Sequence, residues 1–353
     1  MDARRTSQNR RALKRARKQS PPGEFELIER LFAPLAAGFA GAEGLTDDVA
    51  YLGVGNGLVR ADEEIAIKTD ALVAGVHFRK QDPADLVAQK LLRVNLSDLA
   101  AKGARPLVYT LALLLPRDLD YAWLKAFVRG LARDQREFGI ALAGGDTNGT
   151  PGPLAFSLTA LGAIPKGQRL VRAHAQPGDG VFVSGTIGDG ALGLLALEGK
   201  LAGLSRAHAS HLAARYRLPQ PRLALGARLR GRAHATIDVS DGLVADLQHM
   251  CDASGVGAEI DVARVPLSSA ARAALAARPK LIERVLAGGD DYEILFTAQP
   301  AHETALVALG HELGVGVTRI GTMASVPSAK SKVVVRDSKG RKMTFATTGF
   351  RHF

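Results

Sequence analysis

Cysteine is almost missing from this chain. A single thiol, Cys251, in 353 residues excludes an intrachain disulfide framework and any metal site built from several thiolates. Aromatic residues make up only 5 %, which predicts an aliphatic core. Long hydrophobic runs are also lacking. The longest, around Leu107–Leu115, falls far short of the ~20 residues of a membrane helix. The N-terminus carries charge with no apolar run behind it, so no signal peptide is legible. Familiar catalytic signatures are absent too: there is no His-Glu-x-x-His and no Gly-x-Ser-x-Gly. Gly193–Lys200 approaches a P-loop, but five residues rather than four separate its glycines and Leu201 follows the lysine. Gly53-Val54-Gly55-Asn56-Gly57 has the wrong spacing for a dinucleotide loop. Together these absences predict a soluble, cytoplasmic protein that handles any nucleotide without a standard phosphate loop.

What remains is globular. Hydrophobic residues at 46 % and charged residues at 23 % exclude bulk disorder, and the length predicts two domains. The net charge of +11 is unevenly spread. Residues 1–20 hold eight Lys and Arg against Asp2 alone, leaving only +4 for the remainder. This stretch and Pro21-Pro22 read as a disordered basic tail, residues 1–22. A nucleic-acid contact through it is one reading; without interleaved aromatics no stacking platform for single strands is supported, and a solvated extension is the favoured one.

From Gly23 onward helices and strands alternate. The first half reads as a helix over Glu24–Ala37, a hairpin into a strand over Gly57–Val73, and a long helix after Asp82-Pro83. A strand at Leu107–Leu115, a helix at Tyr121–Phe138, a short strand at Ile140–Ala143 and a strand at Leu154–Ile164 follow. The linker Pro165–Pro177 leads to strand Val181–Ser184, helices Ala191–Leu197 and Arg222–Leu229, strand Thr236–Val239 and helix Leu243–Ala253. A helix near Ala270–Ala277, strand Ile294–Thr297, helix Ala301–Leu313 and short terminal strands complete it. The expected division is an N-terminal domain over 23–165 and a C-terminal domain over 166–353, both mixing α and β elements.

Aspartates gather where apolar strands end and glycines begin: Thr46-Asp47-Asp48, Lys68-Thr69-Asp70, Asn95-Leu96-Ser97-Asp98, Gly144-Gly145-Asp146-Thr147, Asp238-Val239-Ser240-Asp241-Gly242 and Gly288-Gly289-Asp290-Asp291. One such motif is an ordinary cap or turn. Six in one chain match the needs of hard divalent cations, which take oxygen ligands and bridge to substrate phosphates. Arg172 is a candidate for basic help with those phosphates.

In order, Asp70-Ala71-Leu72-Val73-Ala74-Gly75-Val76-His77-Phe78, Asn95–Ala101, Gly144–Thr147, Asp238–Leu243 and Gly289-Asp290-Asp291-Tyr292-Glu293 resemble the motifs of the thiamine-monophosphate kinase family, within the aminoimidazole ribonucleotide synthetase superfamily. The resemblance runs from Gly23 to the terminal Gly349-Phe350-Arg351-His352-Phe353. It implies a two-domain α/β (α+β) fold whose N-terminal sheets pair across a homodimer, with the active site in a cleft between domains. The implied reaction is ATP-dependent phosphorylation of thiamine monophosphate to thiamine diphosphate, with several Mg²⁺ ions. By position, Asp48, Thr69, Asp70, Asp98, Asp146, Asp238 and Asp241 are the implied metal ligands. Gly145, Asp146, Arg172 and Ser240 are the implied ATP contacts; His77, Asp290 and Phe350 those of the thiamine substrate. The acceptor phosphate is already ionised, so no catalytic side chain is expected beyond metal assistance.

Four positions depart from the family pattern: Thr46 replaces a glycine, Lys68 a hydroxyl residue, Lys102 a methionine and Asp290 a glutamate. Two alternatives stand beside the kinase: another ATP-dependent synthetase of the superfamily, and a nucleic-acid-binding protein working through the basic tail.

Overall fold

The computed structural model describes residues 23–46, 50, 52, 58–325 and 333–350. The basic tail, Asp47-Asp48, the glycine run at 53–57 and the terminal Arg351-His352-Phe353 lie outside them. Among the described residues the strands are β1 (Glu63–Val73), β2 (Arg105–Pro116), β3 (Ala141–Thr150), β4 (Ala155–Pro165), β5 (Gly180–Ser184), β6 (Ala235–Asp238), β7 (Gly257–Asp261), β8 (Ile294–Ala298), β9 (Val317–Ala324) and β10 (Val333–Arg336). They form a four-stranded sheet of order β1-β4-β2-β3 and a six-stranded sheet of order β10-β7-β9-β5-β8-β6. No described helix is long and apolar enough to cross a membrane.

In the first sheet one face is buried and the other largely open. Tyr109, Leu111, Leu113, Phe156 and Leu158 pack beneath helices Ala84–Ala101 and Tyr121–Phe138 with Leu91, Leu92 and Phe127. On the opposite face Phe39, Ala42 and Val59 cover only the end of the sheet near Val108 and Ala163. Strand alternation leaves Ile65 and Ile67 of β1 exposed there, Ile67 to 69 %.

Helix Ala84–Ala101 joins the halves. All its residues except Asp85, Leu86 and Asp98 are buried, because the first sheet lies on one side and the second half on the other. Most of its polar side chains therefore reach specific partners, while Asn95 bonds only back to the Leu91 carbonyl of its own helix and leaves its Oδ1 unpartnered. Arg93 donates to Asp134 through Nε (2.7 Å) and Nη2 (2.9 Å), to Glu137, and to the Pro219 carbonyl of the second half. Gln89 donates to the same Asp134 at 2.7 Å. Further bonds between the halves run from Ser97 to Asp238, from Thr236 to the Ala101 carbonyl and from Arg230 to the Gly103 carbonyl.

Differences from the sequence reading have local causes. The first helix is broken into Glu24–Leu27, a π-turn at Ile28–Phe32 and Ala33–Ala36, since Pro34 lacks the N–H that would continue the α ladder. Strand β3 is far longer than Ile140–Ala143. It runs through Gly144-Gly145-Asp146 because β2 pairs with it past a register shift. Helix Arg206–Arg217 has only Leu212 and Tyr216 buried, too few to show a periodic apolar stripe. Strand β7 and the six-residue helix Ile282–Ala287 are short elements that the apolar pattern did not reveal.

Asp134, fully buried, is the acceptor for both Gln89 and Arg93. Asp134→Ala leaves a buried guanidinium without its principal partner and is expected to cost ~3–5 kcal/mol of stability. Urea unfolding measures it, and a loss below about 1 kcal/mol, the range of an exposed pair, would refute the structural role given to this network.

Candidate active site

Of the six aspartate segments, four meet beside helix Ala84–Ala101, those carrying Asp70, Asp98, Asp238 and Asp290. Period-two alternation in β1 turns Lys68 and Asp70 toward the helix. There Lys68 Nζ lies 3.0 Å from Asp70 Oδ1 and 3.0 Å from Asp98 Oδ2. Asp238, at the end of β6, is buried and accepts from Ser97 Oγ at 2.7 Å. Burial, and then the charge of Asp238, push the Asp98 carboxyl up to about 7 against the pull of Lys68. Burial also raises Asp238, with Ser97, Lys102 and Lys68 opposing. Lys102 donates to the Thr236 carbonyl at 2.8 Å; burial lowers it to about 8, with Arg172 adding to the effect and Asp238 opposing it. Arg172, itself exposed, thus lies within electrostatic reach of this centre.

The loop after β6 organises the other side. Asp246 Oδ2 accepts the main-chain N–H of Ser240, Asp241 and Gly242 at 3.0, 3.1 and 3.1 Å, fixing the start of helix Leu243–Ser254. The Ser240 carbonyl accepts from Asp290 N at 2.9 Å, and the Asp241 carbonyl from Phe350 N at 3.0 Å. A Cβ on Gly289 would stand 2.3 Å from the Ser240 carbonyl oxygen, so only glycine lets the two loops pack backbone to backbone. Asp290 and Tyr292 adopt positive φ, 65° and 53°. Burial, followed by the charges of Asp290, Asp238 and Asp70, raises the Tyr292 hydroxyl well above its ordinary range.

Helix residue Lys90 was not singled out from the sequence. Its side chain is almost fully buried, yet Nζ lies 3.0 Å from Asp290 Oδ1, 3.1 Å from the His77 carbonyl and 3.8 Å from the centre of the Tyr216 ring. It ties together two implied substrate residues. His77 folds back so that Nδ1 accepts from Val73 N at 3.0 Å. The signal for Lys90 was its place eight residues before Asp98, two helical turns along one face. Asp246 carried a weaker one, an acid in the first turn of a helix.

Two implied ligands point elsewhere. Thr69 faces the open side of the sheet and shares a 2.8 Å hydrogen bond with Thr159. Asp146 is exposed on edge strand β3. The pairing row Asp70, Leu158, Leu111, Gly145 crosses all four strands, which separates its ends by ~14 Å, and Asp146, the next residue, projects from the opposite face. A Cβ on Gly145 would meet the Leu111 carbonyl at 2.0 Å, a packing reason for that glycine. Among the described residues no three His, Cys, Asp or Glu converge as a complete metal cage; Asp48 lies outside them.

Comparison with known proteins agrees with this layout. The family model for the AIR synthase related protein N-terminal domain matches residues 46–164, and that for the C-terminal domain matches 176–334. A thiamine-monophosphate kinase of Caulobacter vibrioides is 43 % identical over 336 residues, 94 % of this chain and 92 % of that protein. This chain belongs to the thiamine-monophosphate kinase family. Among solved structures, the thiamine-monophosphate kinase of Stenotrophomonas maltophilia K279a superposes with a TM-score of 0.77 at 41 % identity, covering 89 % of this chain and 96 % of that one. AaThiL complexed with AMPPCP and TMP gives a TM-score of 0.72 at 29 % identity, covering 94 % and 97 %.

Asp246→Asn retains an oxygen for the three N–H donors and removes a charge that repels Asp238 and Asp241, so stability is expected to stay within ~1 kcal/mol of the parent. Asp246→Ala strands the donors and is expected to lose ~1–3 kcal/mol. Denaturant unfolding of both variants checks this; equal losses would show that the acceptor geometry is not what matters.

Proposed function

We propose that the chain transfers a phosphoryl group from ATP to thiamine monophosphate, giving ADP and thiamine diphosphate. The observation that carries this reading is the meeting of Asp70, Asp98 and Asp238 where helix Ala84–Ala101 lies between the two sheets, in a chain of this family. The donor set fits Mg²⁺: it is all carboxylate, and Asp98 and Asp238 are desolvated anions crowded together. Mg²⁺ is commonly held by one or two carboxylates with substrate phosphates completing its shell, rather than by an all-protein cage. When bound, the ions offset repulsion between the two polyanions and stabilise the charge of the transferring group.

The chain's own groups position the reactants. Asp70, Asp98, Asp238 and Asp241 anchor the metals, Asp48 and the Thr69 segment adding to them. Arg172 and Ser240 contact ATP, and Gly145 arrives beside Asp146 from a second copy. His77, Asp290 and Phe350 receive the thiamine end, the Phe350 ring stacking on a heterocycle, while Lys90 holds Asp290 and the His77 carbonyl in place. The attacking phosphate oxygen is ionised at neutral pH, so no side chain has to take its proton.

A homodimer supplies what one chain lacks. In this reading the open face bearing Ile65 and Ile67 pairs with a second copy, and Asp146 of the partner subunit completes the metal and ATP ligands. The domains divide at 23–165 and 166–353, the chain works in the cytoplasm, and no nucleic-acid partner enters.

Chromatography of a reaction with Mg-ATP and thiamine monophosphate is expected to show ADP and thiamine diphosphate in equal amounts, none in EDTA, and no product from free thiamine. AMP, or thiamine monophosphate made from thiamine, would overturn the reading. Asp98→Asn is expected to reduce turnover by at least about 1000-fold, roughly 4 kcal/mol of transition-state stabilisation, with the fold retained by circular dichroism; near-normal turnover would remove the metal role. Ile67→Asp is expected to give monomers in sedimentation velocity and to abolish activity. A dimer undisturbed by this change would locate the interface elsewhere.

A further inference from the structure

We infer that Lys68 is a tethered cation occupying the position between Asp70 and Asp98 that a divalent ion would otherwise take, so that this chain binds one metal ion fewer than its carboxylates allow. The inference rests on the reading that these aspartates serve metal-assisted phosphoryl transfer.

The geometry is specific. Lys68 stands two residues before Asp70 on the same face of β1, and its ammonium is equidistant, at 3.0 Å, from one oxygen of Asp70 and one of Asp98. That spacing is the length of a charge-assisted hydrogen bond. The lysine therefore bridges strand and helix as a cation shared by two carboxylates bridges its ligands. The three groups are only partly exposed, at 32, 31 and 24 % of their side chains, so the contact is held on the cleft wall rather than in bulk water.

Charge accounting agrees. Asp70, Asp98, Asp238 and Asp241 bring four negative charges, and two lysines of the same cleft stand against them, since Lys102 is bonded to the Thr236 carbonyl and its charge acts on Asp238 and Asp98. These cations offset part of the local charge before any ion arrives. A bridging Mg²⁺ needs oxygens at roughly 2.0–2.1 Å, a shell the ammonium excludes while it sits between them. Lys68 engages Oδ1 of Asp70 and Oδ2 of Asp98, and Asp238 and Asp241 remain for the other ions. The arrangement also predicts that the Asp70–Lys68–Asp98 bridge persists without divalent metal.

The test counts ions. Full-length protein and its Lys68→Ser and Lys68→Arg variants are titrated with Mn²⁺ in the presence of AMPPCP and thiamine monophosphate, free Mn²⁺ being read by electron paramagnetic resonance. Melting temperatures are measured in EDTA and in Mg²⁺ without nucleotide. Lys68→Ser is expected to bind one more Mn²⁺ per chain than the parent, to melt several degrees lower in EDTA, and to regain that loss in Mg²⁺. Lys68→Arg keeps the charge and is expected to match the parent in ion count. Equal counts in parent and Lys68→Ser would mean that the ammonium yields its place to metal, and would overturn the inference. So would a serine variant that stays unfolded in both EDTA and Mg²⁺, or an arginine variant that gains an ion. The parent's product assay is independent of these readouts: a difference of one ion without thiamine diphosphate formation would remove the kinase reading and leave Lys68 as a metal substitute.

Discussion

Burying a polar helix on all sides is the condition from which the rest follows. Ala84–Ala101 is enclosed by a sheet on one flank and the second half of the chain on the other, and still carries Gln89, Lys90, Arg93, Asn95, Ser97 and Asp98. Buried polar groups must find partners or destabilise the fold. Each of the long ones therefore reaches a different element: Arg93 the helix Tyr121–Phe138 and Pro219, Lys90 the loops at His77 and Asp290, Ser97 the end of β6. Satisfying the helix and assembling the cleft are the same act. This is why residues so distant in sequence arrive at one place.

The fold was legible wherever burial imposed a clean period. Tyr121–Phe138 is bounded as its apolar spacing and Asp120 imply, with Asp120 capping the N-terminus and Gly139 ending the helix in left-handed geometry. Strands β2, β4, β5 and β8 were visible as apolar runs. Legibility failed where tertiary pairing overrode local preference: Gly144-Gly145-Asp146 has turn chemistry but is held extended by β2. Within the site, the carboxylates at strand ends were readable because their neighbours are distinctive. Lys90 and Asp246 were not, since their importance lies in what approaches them from elsewhere. Nor could spacing alone show that Asp146 and Thr69 face away from Asp98.

The electrostatic character of the cleft follows from that assembly. Asp98 on the helix and Asp238 at the end of β6 are both desolvated, and the charge of Asp238 makes Asp98 harder still to ionise. The lysines at 68 and 102 relieve only part of this. An acidic cleft with an incomplete set of counter-charges has an intrinsic appetite for cations, and a substrate that arrives as a metal–phosphate complex brings them. Recognition of the nucleotide without a standard phosphate loop is physically reasonable under the proposed function, since these carboxylates would hold cations that in turn would neutralise the phosphates.

The loop carrying Asp290 and Tyr292 has a different kind of consequence. Two non-glycine residues with positive φ in succession around Asp291 hold conformations that cost on the order of 1–3 kcal/mol each. Glycine at either position would relieve that strain. A lineage selected for heat resistance alone would drift toward it, gaining stability while losing the carboxylate that Lys90 holds or the ring beneath it. The aspartate and tyrosine there mark a point where relief of backbone strain and retention of the cleft pull in opposite directions.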